Sequence, residues 1–313
     1  MKKITIAGGG VLGSQIAFQA AYCGCDVTVW LRSESSAERM RAKWQTVKQH
    51  YLEAIDGMEQ NPSPETWAHG IAEADSFDAA LCRKRVEQAY ENVQITTDLS
   101  SAAREAELVI ECIAEDLKEK RAFYRMLAPL LPKNAIVVTN SSTLLPSSLA
   151  ASTGCPSRFL AMHFANSIWR NNVAEVMAHG KTSEASFQAV LRFAEQIRMI
   201  PLPVYREKAG YLLNSMLIPL LFSGLDLVAT GVSDPVSVDT AWTHGTGAPK
   251  GPFRILDTIG LATAYRIVLQ YVKIPSVIAP YHFKKIAALL KQYLDAGKTG
   301  EASGEGFYVY RKK

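Results

Sequence analysis

The feature that most restricts this chain is Gly8-Gly9-Gly10-Val11-Leu12-Gly13, which carries glycine at G-x-G-x-x-G spacing. Glycine runs of this kind also arise as plain tight turns, so the context decides. Here the run follows a strand, Ile4–Ala7, and opens a helix, Ser14–Tyr22, and a second strand arrives at Asp26–Trp30. That order is the dinucleotide-binding arrangement. Gly8 makes the turn, Gly10 lets backbone approach a pyrophosphate, and Gly13 permits close helix–strand packing. Val11 and Leu12 stand at the helix N-terminus, whose free N–H groups and positive dipole end attract phosphate.

Short β-rich runs continue at 93–96, 108–114, 135–139, 159–164 and 173–177, with helical patterns at 117–131 and 184–197. Alternation of this kind predicts an α/β fold, a Rossmann-type doubly wound and mostly parallel sheet. A helical pair is inserted at about 35–92, where Met40, Trp44, Val47, Tyr51 and Ile55 share one face, a packing stripe. Asn61-Pro62-Ser63-Pro64 breaks it as a loop. Beyond Tyr205 strand patterns stop, and 208–230, 235–243, 252–271 and 276–294 read as helices. Two domains follow: a dinucleotide-binding domain at 1–204 and an all-α domain at 205–313, joined near Pro201–Arg206.

Composition narrows the function classes. Of 313 residues 48% are hydrophobic and 20% charged, which excludes wholesale disorder, and a net charge of +4 is too mild for a nucleic-acid binder. The Arg311-Lys312-Lys313 run reads as a solvated terminus. Five cysteines without metal-ligand spacing fit a reduced compartment better than a disulfide scaffold, and no metal site is expected. Glycines interrupt the N-terminal apolar run before a signal peptide builds up. Asn214, Pro219 and Asp226 interrupt the most apolar later stretch, so no membrane span is expected. The expectation is a cytoplasmic, soluble protein.

An NAD-selecting site usually places an acid at the end of the second strand, against the ribose 2′-hydroxyl. This chain has Leu31-Arg32-Ser33 there. Arg32 would pair with a 2′-phosphate, helped by Ser33 and Ser35, so the reading leans to NADP(H) over NAD(H). The opposing reading leaves Arg32 on adenine or in solvent and gives the ribose to Glu34. Farther on, His163 ends an apolar strand and Glu175 lies in the next. Asn140-Ser141-Ser142-Thr143 follows another strand, as a functional loop or as a helix cap. The C-terminal edge of such a sheet is where ligands bind.

Taken together, the motifs resemble the 3-hydroxyacyl-CoA dehydrogenases along essentially the whole chain. Besides the glycine loop the resemblance rests on Leu108-Val109-Ile110-Glu111, 115–120 (EDLKEK), Asn140-Ser141-Ser142, His163-Phe164-Ala165-Asn166, Glu175-Val176 and 209–214 (AGYLLN). In the helical part 245–253 (GTGAPKGPF) and Gly304-Glu305-Gly306-Phe307-Tyr308 complete it. Within the family, the stretches from Asn140, His163 and Gly247 are most similar to the diketoreductase branch. The resemblance implies hydride transfer between a nicotinamide cofactor and a 3-hydroxy or 3-keto carbon. His163 would be the acid/base and Glu175 its orienting carboxylate. Ser142 would contact the reacting oxygen and Asn214 the substrate carbonyl, and Glu115, Lys120 and Asn140 would lie along the cofactor. It also implies a homodimer joined through the helical domain.

Two departures stand out. After Asn166 the family usually has Pro, whereas this chain continues Ser167-Ile168-Trp169-Arg170; Trp169 with Arg170 would reshape the substrate pocket, Arg170 being read either as a clamp for an acidic or ester group or as an exposed surface arginine. The other departure is Leu31-Arg32. Arg39, Arg41, Lys43 and Lys48 in the insertion are read either as contacts for CoA phosphates or as a solvated face. The substrate is accordingly a short 3-hydroxyacyl-CoA such as 3-hydroxybutyryl-CoA, or a free β-keto or β,δ-diketo ester or acid. A crystallin-like cofactor-binding protein with little turnover would have no need of His163, Glu175, Ser142 and Asn214 together.

Overall fold

The computed structural model describes residues 1–275 and 277–310; Ser276 and the Arg311-Lys312-Lys313 tail lie outside the described residues. One compact unit is Met1–Leu212, and a second begins at Leu213. In the first, eight strands form one sheet: β1 (Lys3–Ala7), β2 (Asp26–Trp30), β3 (Gln94–Thr96), β4 (Leu108–Glu111), β5 (Ile136–Thr139), β6 (Phe159–Phe164), β7 (Val173–Met177) and β8 (Ile200–Val204). Their order is β3-β2-β1-β4-β5-β6-β7-β8, and every pair is parallel except β6 with β7. The order reverses between β1 and β4, the switch point outside which ligands bind in open α/β sheets.

The helices of this unit are α1 (Val11–Tyr22), α2 (Glu34–Gln60), α3 (Ala79–Asn92), α4 (Leu99–Ala103), α5 (Leu117–Leu127), α6 (Ser147–Ala150) and α7 (Glu184–Gln196). They cover both sheet faces, which is why β4 and β5 are buried throughout their lengths. Ile4, Ile6, Leu108 and Ile110 pack toward α1 and the insertion, while Ala7, Val109 and Val137 pack toward Phe123 and Tyr124 of α5. The expected stripe on α2 is fully buried. Trp44 and Tyr51 sit 4.9 and 4.7 Å, ring to ring, from Phe18 of α1, contacts worth about 0.5–1.5 kcal/mol each beyond burial.

Strand β8 lies where the sequence reading expected only a domain boundary. Its sequence, Ile-Pro-Leu-Pro-Val, carries two prolines, which cannot donate to a ladder. Ile200 donates its N–H toward the β7 side, to the Asn172 carbonyl. N–H groups alternate along a strand, so Pro201 and Pro203 turn toward the open edge, where a missing donor costs nothing.

The second unit contains α8 (Leu213–Ala229), α9 (Pro235–Thr246), α10 (Pro252–Ile259), α11 (Leu261–Leu269) and α12 (Phe283–Asp295). Three expected helices are corrected. The one at 208–230 begins only at Leu213, because Gly210 and Tyr211 take φ of 84° and 52°. The one at 252–271 divides at Gly260, with φ of 90°. The one at 276–294 starts at Phe283.

The glycine-rich motifs of this unit are explained by two buried aspartates. Asp239 accepts the N–H groups of Phe253 and Arg254 at the start of α10, and a Cβ on Gly251 would come within 2.4 Å of its carboxyl. Asp257 accepts the N–H groups of Phe307 and Tyr308 and the Tyr310 hydroxyl, and so fastens the closing Gly-Glu-Gly-Phe-Tyr segment. Among the described residues no helix is long and apolar enough to cross a membrane, and no group of three or more His, Cys, Asp or Glu side chains could hold a metal ion.

Candidate active site

The glycine loop joins β1 to α1. Gly8 has φ of 115°, and a Cβ on it would lie 2.6 Å from the Cys112 carbonyl oxygen at the end of β4. A Cβ on Gly13 would lie 2.1 Å from the Gly8 carbonyl oxygen. Both positions are therefore glycine for internal packing. Gly10 differs: a Cβ there would meet nothing within 4 Å, so it would project only into open space. No side chain caps α1, which leaves its first-turn N–H groups without a capping acceptor. The loop therefore fits a pyrophosphate, with Gly10 leaving the room.

Two cavities flank the loop within the first unit. One, of about 580 Å³, is bounded by Gly10, Arg32, Ser36, Arg39, Lys43 and Glu119. Arg32 is mostly exposed and makes one long ion pair, 3.5 Å to Glu119. Arg39 donates to the Ser36 hydroxyl at 2.8 Å. Glu34, the alternative ribose partner, accepts from the Thr97 hydroxyl at 3.1 Å. Arg39 and Lys43 were grouped in the sequence with a possible CoA tail; the structure puts them beside Arg32. The signal was present, since Ser36, Arg39 and Lys43 are spaced three and four apart on α2.

The other cavity, of about 190 Å³, is bounded by Leu12, Gly13, Glu115, Lys120, Asn140 and Ser142. Beneath it lies a buried network. Lys120 Nζ donates to Glu111 Oε1 at 2.5 Å, and Glu111 also accepts from the Ile113 N–H, the Tyr124 hydroxyl and the Thr139 hydroxyl. The Asn140 side chain accepts from the Phe164 N–H and so ties β5 to β6. Glu111 was quoted in the sequence as part of a motif, but its partnership with Lys120 was not read there.

Glu115 accepts from Ser141 Oγ at 2.5 Å and from both the N–H and hydroxyl of Thr143. Burial pushes its carboxyl up, but these hydrogen bonds and the Lys120 ammonium outweigh that and hold it below the ordinary carboxylate value. A depressed carboxyl contributes stability that is complete above its unfolded value of about 4.3 and is lost as pH falls through the folded value. Glu115→Gln is accordingly expected to flatten the acid-side decline of the thermal midpoint below about pH 4.3. An unchanged decline in a pH series of melting curves would contradict this.

His163 is the residue at which the strands converge. Because β6 and β7 are antiparallel and in register, His163 stands directly opposite Glu175. Its Nδ1 lies 2.9 Å from Glu175 Oε2, and its Nε2 lies 3.1 Å from Ser142 Oγ. Glu175 Oε1 accepts the Leu212 N–H at 2.8 Å. A carboxylate can only accept, so Nδ1 carries the proton and Nε2 is left facing Ser142. The Tyr211 ring stacks on the imidazole, 4.6 Å between centroids and 16° between planes, while its hydroxyl donates to the Ser141 carbonyl. Tyr211 was not singled out in the sequence; its φ of 52°, which folds it back over His163, leaves no mark in composition or spacing.

The two residues expected at the substrate pocket contact the insertion. Trp169 is 6% exposed, stacks on His50 and packs against Tyr51, so it anchors the loop after β6 to the insertion. Arg170 donates to the Glu65 carbonyl of the insertion. These contacts fix the position of the loop after His163. Asn214 is the second residue of α8, in the second unit.

Comparison with known proteins decides the family. Residues 3–208 match the 3-hydroxyacyl-CoA dehydrogenase NAD-binding domain, and residues 210–310 match the C-terminal domain of the same family. The chain belongs to the 3-hydroxyacyl-CoA dehydrogenase family. It is thus a member of a family of NAD-dependent oxidoreductases acting on CH–OH. Among solved structures, this family member is similar to a diketoreductase described for substrate-directed dual catalysis of dicarbonyl compounds, with 40% identity, 99% of each chain covered and a TM-score of 0.84. It is 29% identical to a probable 3-hydroxybutyryl-CoA dehydrogenase of Bacillus subtilis, covering 100% of this chain and 99% of the relative. It is 27% identical to the human mitochondrial hydroxyacyl-coenzyme A dehydrogenase, covering 99% and 92%.

Proposed function

We propose that this dehydrogenase interconverts 3-hydroxyacyl and 3-ketoacyl groups on a short substrate, with His163 as acid/base. The observation that carries the reading is the relay from Glu175 through His163 to Ser142, at the rim of the cavity that also holds Glu115 and Lys120. The nicotinamide, when bound, supplies or accepts the hydride. In the reducing direction protonated Nε2 of His163 gives a proton to the oxygen that becomes the alcohol, and Ser142 hydrogen-bonds the same oxygen. Glu175 holds the ring in one tautomer and stabilises the imidazolium before transfer. A positioned acid/base of this kind typically contributes 10²–10⁴-fold, and the Ser142 donor stabilises the developing alkoxide. Asn214 would hold the second carbonyl of the substrate.

Gly8, Gly10, Val11, Leu12 and Gly13 would cradle the pyrophosphate, with Glu115, Lys120 and Asn140 along the nicotinamide end. The adenosine end carries Arg32, Arg39 and Lys43 against the single carboxylate of Glu119, an excess of positive charge that favours NADP(H). A charged hydrogen bond from Arg32 to a 2′-phosphate is worth about 1.5–3 kcal/mol, roughly tenfold to a hundredfold in selectivity. Arg32→Asp is therefore expected to lower the preference for NADPH over NADH by at least about tenfold. Unchanged affinities for both, measured by fluorescence titration, would remove Arg32 from the 2′-phosphate site.

Two substrate classes follow from different relatives. The family as a whole favours a CoA thioester such as 3-hydroxybutyryl-CoA. The 40% identity to the diketoreductase, against 29% and 27% to the CoA-named relatives, favours a free β-keto or diketo ester. Paired initial rates with acetoacetyl-CoA and a matched acetoacetate ester separate them. A large thioester preference supports the CoA reading, and comparable or faster ester reduction overturns it in favour of the ketone reductase. Inactivity toward both would overturn the 3-keto reading altogether. Assembly as a homodimer and a cytoplasmic location stay part of the proposal, testable by light scattering and by fractionation.

A further inference from the structure

A cavity of about 690 Å³, larger than either beside the glycine loop, opens at the opposite edge of the sheet. Lys2, Asp26 and Gln94, at or beside the first residues of β1, β2 and β3, line it, whereas the glycine loop follows the last residue of β1. The five residues of β1 separate the two by roughly 16 Å at about 3.3 Å per residue. This cavity therefore has no part in the hydride-transfer site.

Two arginines line it, Arg85 of α3 and Arg198 between α7 and β8, and both charges act on the Cys23 thiol in the same lining. Both residues are partly buried, and neither side chain has a hydrogen-bond or ion-pair partner among the described residues. The acid in the lining, Asp26, pairs with Lys2 at 3.9 Å. With that pair neutral, the two arginines leave the cavity with excess positive charge. Gln88, Asn92 and Gln94 add carboxamides around them.

Arg198 also has an uncommon backbone. Its φ of 59° is the left-handed region in which a helix normally ends on glycine, and its N–H closes that turn on the Glu195 carbonyl. Glycine would sit there without strain, so the turn alone gives no reason for a long charged side chain; the cavity does. The neighbouring Cys23 thiol is pushed up to about 12 by burial, with Arg198 and Arg85 pulling the other way. The thiol thus stays neutral and leaves both guanidiniums for an outside anion.

We infer that this cavity is a second ligand site, taking a small phosphorylated metabolite whose phosphate is held between Arg85 and Arg198. Two planar guanidiniums suit a phosphate dianion, which each can bind in bidentate fashion. The carboxamides would meet the polar body of the ligand.

Calorimetric titration of the full-length protein with inorganic pyrophosphate, in saturating NADPH, tests this. NADPH fills both the glycine loop and the Arg32, Arg39 and Lys43 cluster beside it, so any binding that remains reports the second site. The expected result is one pyrophosphate site in the wild type. Arg85→Gln should weaken it by at least about tenfold, the value of a charged hydrogen bond. Arg198→Gly should weaken it equally while the thermal midpoint holds or rises, since glycine relieves the left-handed backbone and keeps unfolding out of the result. Absence of binding once NADPH is present, or equal affinity in wild type and both variants, would overturn the site.

Discussion

Replacing His163 with glutamine is expected to lower kcat for ketone reduction by about 10²–10⁴-fold and to leave cofactor affinity essentially unchanged. The imidazole is 6% exposed, held at Nδ1 by Glu175 and covered by the Tyr211 ring, so its orientation is fixed before substrate arrives. Glutamine keeps a polar group near Ser142 but cannot carry a transferable proton near neutral pH. The lost step is proton transfer to the new alcohol oxygen, so the loss should fall on kcat more than on KM. Glu175→Gln should fall in the same direction, since a neutral amide no longer stabilises the imidazolium. Steady-state kinetics in which His163→Gln retains full activity would remove the acid/base assignment.

The second large effect concerns stability. Lys120 and Glu111 are 1% and 0% exposed, and their charges meet at 2.5 Å. Removing one member of such a pair strands the other in a medium where it is poorly solvated, at a cost of about 3–5 kcal/mol. Lys120→Met preserves the length and apolar stem of the side chain and deletes only the ammonium. It is expected to destabilise the first unit by about that amount, a large part of the roughly 5–15 kcal/mol that holds a domain folded. Lys118→Met, on the exposed face of the same helix, should stay within about 0.5 kcal/mol. Urea unfolding without cofactor compares the two. Equal midpoints for both variants would contradict a structural role for the buried pair.

Much of this was readable from the chain because local rules and the fold agree. The glycine loop, the strand alternation and the apolar stripe of α2 each follow from spacing alone. His163 and Glu175 were both identifiable, but their meeting depends on β6 and β7 running antiparallel. The only early sign of that is the short connection between them, 165–172, with no room for a crossover helix. Trp169 shows the opposite case. As a departure from the family pattern it drew attention to the substrate pocket, but its packing against His50 and Tyr51 of the insertion left no mark in the spacing. Strand β8 was hidden by prolines that only an open sheet edge tolerates. Tyr211 was hidden by a left-handed backbone that no propensity signals. Arg39 and Lys43 were visible as charges, but their place beside Arg32 required knowing which face of α2 turns to the glycine loop.

The most direct test of hydride transfer to a 3-keto carbon is isotopic. Wild-type protein would be supplied with NADPH deuterated at both C4 positions and with whichever of acetoacetyl-CoA or its ester analogue it reduces. Mass spectrometry of the product should find one deuterium per molecule, on the carbon that bears the new hydroxyl, and His163→Gln should give the same product more slowly. Product formed without deuterium at that carbon would contradict the account.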